Sequence, residues 1–297
     1  MTSDPTAAEA VTPIQRVGVV GAGLMGSGIA EVCARAGLDV VIREVSSAAL
    51  SDGETRIRRS LERGVSSGKL SKEAGNEATE RMTFTTSLDD LSTCQIVIEA
   101  VIEDERAKLE VFAALDRLVT DPRAVLASNT SSIPIMTLAM ATERPERVIG
   151  IHFFNPVPVL KLVELVTSLL TSDDTANTAR TFVTERLGKL VISSQDRAGF
   201  VVNSLLIPYI LSAVRMFESG FATAEDIDTG MVEGCAHPMG PLALADLIGL
   251  DTTRAVADSM YEEFKEPLYA PPPLLVRMVD AGLLGRKTGR GFYPYGR

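Results

Sequence analysis

Long apolar runs are missing from this sequence. None approaches the roughly 20 residues that a helix needs to cross a bilayer, so no membrane partner is expected. The first 13 residues lack the basic start and apolar core of a secretory signal. They read as a flexible polar tail, and the protein is expected in the cytoplasm. Cysteine is scarce: Cys33, Cys94 and Cys235 are the only three. An odd number without metal-ligand spacing argues against a disulfide framework and against a metal site, and the apolar surroundings predict buried free thiols. Positive charge is also in short supply, with 29 Lys and Arg against 39 Asp and Glu and a formal net charge of −10. That balance argues against a nucleic-acid partner while leaving room for a local basic pocket. Histidines number two, so imidazole chemistry has to use His152 or His237.

What is present is an ordinary globular composition, 45% hydrophobic over 297 residues, enough for one large or two medium domains. Its organising stretch is Val17-Gly18-Val19-Val20-Gly21-Ala22-Gly23-Leu24-Met25-Gly26, an apolar strand running into a glycine-rich turn and then a helix. Gly21 permits a sharp turn, Gly23 permits close approach of a pyrophosphate, and Gly26 permits close packing of the helix on the sheet. The helix N-terminus supplies unpaired N–H groups and the positive end of a dipole. A second strand over residues 38–42 leads to Glu44, about 20 residues past the glycines, where a carboxylate accepts hydrogen bonds from a ribose diol. Together these features predict NAD as the cofactor.

Beyond it, the pattern predicts a helix over 48–69 bearing Arg56, Arg58, Arg59, Arg63 and Lys69, a second helix over 72–81, and strands at 82–85 and 95–100. Glu99 and Glu103 lie in an apolar run, and Lys108, early in a helix over 105–119, is placed to pair with them. A strand at 124–127 empties into Ser128-Asn129-Thr130-Ser131-Ser132, suited to ligand contact at a strand's carboxyl end or, for Ser131 and Ser132, to capping the next helix. After residue 195 the sequence reads as helices over 200–219, 223–232, 242–264 and 272–281. The fold expected is therefore α/β: a flexible tail over 1–13, a doubly wound Rossmann-type sheet over 14–195, and an all-helical C-terminal domain over 196–297.

His152 ends an apolar strand at 148–152, and Glu164 interrupts the apolar run 160–167. A hairpin through Pro156 and Pro158 brings the two side chains together. The carboxylate gains a donor, and the imidazole gains a group that fixes its tautomer and supports its cation. Oxidation of an alcohol by a nicotinamide enzyme requires such a base. His237, in a proline-framed turn without a nearby carboxylate in sequence, reads as structural.

With these motifs in order, together with Gly199-Phe200-Val201-Val202-Asn203 and the ending Lys287-Thr288-Gly289-Arg290-Gly291-Phe292-Tyr293, the chain resembles the 3-hydroxyacyl-CoA dehydrogenases of the short, single-function type. The resemblance implies an NAD-binding domain joined to a helical domain that forms a homodimer, and an acyl-CoA substrate. It implies His152 as base and Glu164 as its partner, with Ser131 and Asn203 on the substrate's 3-oxygen or thioester. Cofactor contacts are implied for Gly21 through Gly26, Glu44, Glu103, Lys108, Ser131, Asn155 and Lys287, and coenzyme A contacts for Ser60. This sequence has Ser67 where the family can place a lysine, which leaves Lys69, Arg63 or Arg59 to meet the phosphates, and Ser204 where arginine is common. Two rivals share the fold: a dehydrogenase of a small free hydroxy acid, and a crystallin-like protein that binds the dinucleotide without turnover.

Overall fold

A computed structural model of the chain describes residues 14–296; the tail expected over 1–13 lies outside the described residues. Contacts divide the chain into two units. The first takes in the described residues up to Thr130 together with Pro134–Asp196, and the second joins Ser131–Ile133 to the chain from Arg197 onward.

The first unit runs β1 (Arg16–Val20), α1 (Leu24–Arg35), β2 (Asp39–Arg43), α2 (Ser47–Ser66), α3 (Lys72–Glu80), β3 (Met82–Thr85), β4 (Ile96–Glu99), α4 (Glu105–Leu118), β5 (Val125–Ser128), α5 (Ile135–Ala139), β6 (Val148–Phe153), β7 (Leu162–Thr167), α6 (Asp173–Thr181) and β8 (Leu190–Gln195). The strands form one eight-stranded sheet in the order β3-β2-β1-β4-β5-β6-β7-β8. β1 to β6 are parallel, β7 runs antiparallel to β6, and β8 runs parallel to β7. Helices cover the sheet, and strands β4, β5 and β6 are buried along their whole length, which is why they read as continuous apolar runs rather than as alternating ones. Strand order reverses between β1 and β4, where an open α/β sheet leaves a crevice for ligands.

The second unit contains α7 (Val202–Glu218), α8 (Ala224–Cys235), α9 (Pro241–Ile248), α10 (Leu250–Phe264) and α11 (Pro273–Asp280) around a core that includes Ile210, Leu211, Val214, Leu242, Ala257 and Met260. The helix expected over 242–264 is two helices. Gly249, at φ +104°, breaks it between α9 and α10, a conformation that L-residues rarely adopt. The C-terminal segment is held by the buried Asp246, which accepts from the N–H groups of Phe292 and Tyr293 and from the hydroxyl of Tyr295, each at 3.0 Å. His237 donates or accepts at Nδ1 with the Tyr209 hydroxyl at 3.1 Å.

Two further expectations need correction. Cys33 and Cys94 are buried, and burial pushes their thiols up to about 12 and about 11, but Cys235 is exposed at the last residue of α8. Neither Ser131 nor Ser132 occupies the cap position of the following helix. Pro134 stands there, and the carboxylate of Asp196 accepts from the N–H groups of Ile135 at 2.8 Å and Met136 at 2.7 Å. The cap comes from 60 residues away in sequence, so local spacing gave no sign of it.

Candidate active site

The turn from β1 into α1 is shaped by its glycines. Gly21 has φ +97°, and a Cβ there would lie 2.5 Å from the Ala100 carbonyl oxygen; one on Gly26 would lie 1.8 Å from the oxygen of Gly21. Both positions exclude a side chain. Gly23 differs, because a Cβ there would meet no protein atom within 4 Å. It is exposed, at φ −63°, and occupies the N-cap of α1 without a side-chain cap. The N–H groups of Leu24, Met25 and Gly26 form the first turn, which has no partner within its own helix. Open space above bare N–H groups at the positive end of a helix fits a pyrophosphate.

Glu44 follows β2 and is fixed by this turn. Its Oε1 accepts from Ala22 N–H at 2.6 Å and its Oε2 from Val45 N–H at 3.0 Å. The exposed Val45 and Ile102, past the ends of β2 and β4, add apolar surface suited to a planar ring. Helix α2 presses on the turn from outside: a Cβ on Gly53 would lie 2.4 Å from that of Ala22, and Arg56 Nη1 donates to the Ala22 carbonyl at 2.6 Å. Read from charge pattern alone, Arg56 belongs to a solvated arginine-rich face. Its role as a brace depends on an approach of α2 that sequence spacing does not encode.

At the ends of β4 and β5 lies a buried polar network. Glu99 Oε1 accepts from Lys108 Nζ at 2.6 Å and from Val101 N–H at 2.7 Å, while Oε2 accepts from Ser128 Oγ at 2.6 Å. Lys108 also reaches Glu103 Oε2 at 3.2 Å, and Glu103 Oε1 accepts from Thr130 Oγ1 at 2.5 Å. Lys108 thus serves both carboxylates, with the tighter contact to the fully buried one. Such a group of satisfied charges is rigid, and removal of one member leaves another charged and unpaired.

β6 and β7 bring His152 and Glu164 together. The two are register partners across the antiparallel pair. His152 Nδ1 lies 2.8 Å from Glu164 Oε2, with both side chains buried, and the imidazole meets the Phe154 ring edge to face at 4.7 Å. Asn129 Oδ1 accepts from Phe153 N–H at 2.9 Å, tying the β5 loop to the residue after His152. Asn155 is exposed in the turn that follows, ahead of a cis bond to Pro156.

Ser60 is half-buried on α2, one turn beyond Arg56 and one before Arg63 on the same face, while Arg59, Arg63 and Lys69 are exposed. Ser131 and Asn203 both belong to the helical unit, Asn203 in the first turn of α7. The neighbouring Ser132 carbonyl accepts from Ser259 Oγ at 2.8 Å in that unit. Lys287, expected to reach the cofactor, pairs with Asp251, its Nζ lying 2.6 Å from Oδ1. That carboxylate opens α10 just past the Gly249 break.

Comparison with known proteins decides the family. Residues 16–197 match the NAD binding domain of 3-hydroxyacyl-CoA dehydrogenase, and residues 199–295 match its C-terminal domain. The chain belongs to the 3-hydroxyacyl-CoA dehydrogenase family. Within that family it is 62% identical over 282 residues to a 3-hydroxybutyryl-CoA dehydrogenase of Mycobacterium tuberculosis, covering 95% of this chain and 99% of the relative. A crystal structure of M. tuberculosis FadB2 superposes with a TM-score of 0.95 at 61% identity, covering 96% of this chain and all (100%) of the other. That of (S)-3-hydroxybutyryl-CoA dehydrogenase from Ralstonia eutropha gives 0.90 at 48% identity, covering 96% and 100%. A family member with this glycine turn carries an NAD-binding Rossmann domain, and the open cradle at Gly23 fits that cofactor.

Proposed function

We propose that the protein catalyses reversible NAD-linked oxidation of an (S)-3-hydroxyacyl-CoA, with short acyl chains favoured, to the 3-oxoacyl-CoA. The observation that carries this reading is the buried His152–Glu164 pair in the same unit as the dinucleotide turn. NAD, when bound, supplies the hydride acceptor. With Nδ1 donating to Glu164, the Nε2 of His152 takes the proton of the substrate hydroxyl as the carbon is oxidised, and returns it in reduction. Glu164 holds the ring in this tautomer and stabilises the imidazolium that forms. Ser131 and Asn203 are assigned to the substrate's 3-oxygen or thioester, Asn155 to the nicotinamide side of the cofactor, and Glu103 and Lys108 to its surroundings. Ser60, with Arg59, Arg63 or Lys69, is assigned to coenzyme A. Lys287, which pairs with Asp251, is assigned to the cofactor.

The test in the reducing direction mixes NADH with acetoacetyl-CoA and follows loss of NADH absorbance. Stoichiometric loss with the thioester supports the reading. Loss only with small free keto acids favours the hydroxy-acid rival, and binding of NADH without loss on any substrate favours the non-catalytic one.

The fixed carboxylate of Glu44 accepts hydrogen bonds from both ribose hydroxyls and repels a 2′-phosphate. Discrimination against NADPH by at least about 1 kcal/mol is expected, roughly fivefold in kcat/KM. Strand alternation turns Arg43 to the opposite face. Equal kcat/KM for NADH and NADPH would remove Glu44 from this role.

The helical unit is proposed to join two subunits. It exposes Leu205, Met216, Phe221 and Leu247, apolar area of the kind that subunit association covers. Sedimentation should give a dimer at micromolar concentration, and a monomer there contradicts the assignment. Among the described residues no helix is long and apolar enough to cross a membrane. Separately, and as expected from its sequence, the enzyme is proposed to work in the cytoplasm.

A further inference from the structure

The turn between β6 and β7, residues 154–161, starts two positions past His152 and ends three before Glu164. It carries Asn155, and Val159 and Leu160 point outward from it, 63% and 41% exposed. Two clamps hold it. On one side Val157 is buried against α1, where a Cβ on Gly28 would lie 2.9 Å from that of Val157. On the other side the Lys189 side chain runs inward from the start of β8. Its Nζ donates to the carbonyl oxygens of Val157 at 2.8 Å and Leu160 at 2.7 Å.

Lys189 is 9% exposed and, among the described residues, forms no ion pair. Cys33 of α1 faces it with a thiol that burial keeps protonated, and the charge of Arg35 adds repulsion; burial chiefly, with Arg35 second, lowers the lysine's pKa. An ammonium so placed is a poor device for stability, since its desolvation is only partly offset by carbonyl partners. It is a strong device for geometry: one point charge gathers two carbonyls of one turn through charge-assisted bonds.

We propose that Lys189 is a positioning residue for the reaction, pinning the 154–161 turn so that Asn155 and the His152–Glu164 pair keep their places. The inference rests on the function proposed above. Without the ammonium, the Val157 and Leu160 carbonyls lose their shared donor, and on the β8 side only the bond from Leu190 N–H to the Lys161 carbonyl, at the end of the turn, remains. Displacement of a reacting group by about an ångström costs on the order of a hundredfold in rate. The lysine touches neither the glycine turn nor Glu44, so the effect on cofactor affinity is confined to the share that Asn155 contributes.

The experiment compares Lys189→Met, which keeps length and removes the charge, with Lys189→Arg, which restores a cation able to reach both carbonyls. Turnover is measured per NADH-binding site on the full-length protein. Lys189→Met is expected to lower kcat by ten- to a hundredfold, with KM for acetoacetyl-CoA and Kd for NADH within a few-fold, and Lys189→Arg to recover most of the loss. Because the chain has two histidines, nitrogen NMR gives a direct second readout. The His152 ring signals should shift or broaden in Lys189→Met while those of His237 stay put. If Lys189→Met does not fold, Lys189→Leu, which likewise has neither charge nor donor, is read in the same way. Wild-type kcat with an unchanged His152 spectrum in any folded neutral variant overturns the inference. Inactivity of the wild-type protein itself would instead overturn the proposed function, so the two failures are distinguishable.

Discussion

Replacing Glu164 with glutamine is expected to lower turnover with acetoacetyl-CoA at least about a hundredfold, nearly as much as His152→Gln, because general acid–base assistance contributes on the order of 10²- to 10⁴-fold. The geometry gives the reason. The carboxylate lies 2.8 Å from Nδ1 in a buried setting, where it favours the imidazolium and holds the ring so that Nε2 exchanges the substrate proton. Glutamine keeps the size, loses the charge and, through its amide donor, can also stabilise the wrong tautomer. The two residues act as a unit, so the double variant should lose far less than the product of the single losses. NADH affinity depends on the glycine turn and on Glu44, and should stay within a few-fold in all three variants. A double-mutant cycle on kcat, run beside NADH titration, checks this. Multiplicative losses, or near-normal turnover of Glu164→Gln from neutral to alkaline pH, would leave the carboxylate as a core residue only.

The glycine turn gives the second large effect, as a contrast between two positions three residues apart. Gly23→Val adds a side chain that meets no protein atom within 4 Å at its Cβ, at a φ of −63° that any residue adopts. The protein should fold, with its melting temperature lowered by no more than the loss of a glycine N-cap costs. The added carbons enter the space above the N-terminus of α1, and NADH affinity should fall at least about tenfold, or roughly 1.4 kcal/mol. Gly26→Ala places its methyl 1.8 Å from the Gly21 carbonyl oxygen. That overlap forces α1 off the sheet and should destabilise the fold by about 1–3 kcal/mol or more. Thermal melts with and without NADH separate the two. Normal NADH affinity in Gly23→Val would show that the pyrophosphate does not approach the turn there, while a loss of fold in that variant would contradict the open cradle.

The parts of this site legible in the sequence are those whose geometry is local. The glycine turn and Glu44 follow from strand and helix spacing. The meeting of His152 and Glu164 follows from a short antiparallel return, because pairing across a tight hairpin fixes which residues face each other. Illegible parts depend on long-range approach. Arg56 bracing Ala22, Asp196 capping α5 and Lys189 reaching the Val157 and Leu160 carbonyls are contacts over 34, 60 and 29–32 residues, and no motif announces them. The break at Gly249 is hidden for another reason: the apolar periodicity continues through it, so only the backbone conformation, φ +104°, shows that one helix is two.

The most direct test of the central claim, acid–base assisted hydride exchange on a CoA thioester, is the reaction in the oxidising direction. Purified protein and NAD are given, separately, (S)-3-hydroxybutyryl-CoA, its (R) isomer and free 3-hydroxybutyrate, and formation of NADH is followed to completion. NADH is expected from the (S)-thioester alone, one per molecule oxidised, with acetoacetyl-CoA as the product. Comparable rates with the free acid, or no NADH from the (S)-thioester under conditions where NAD binds, would contradict it.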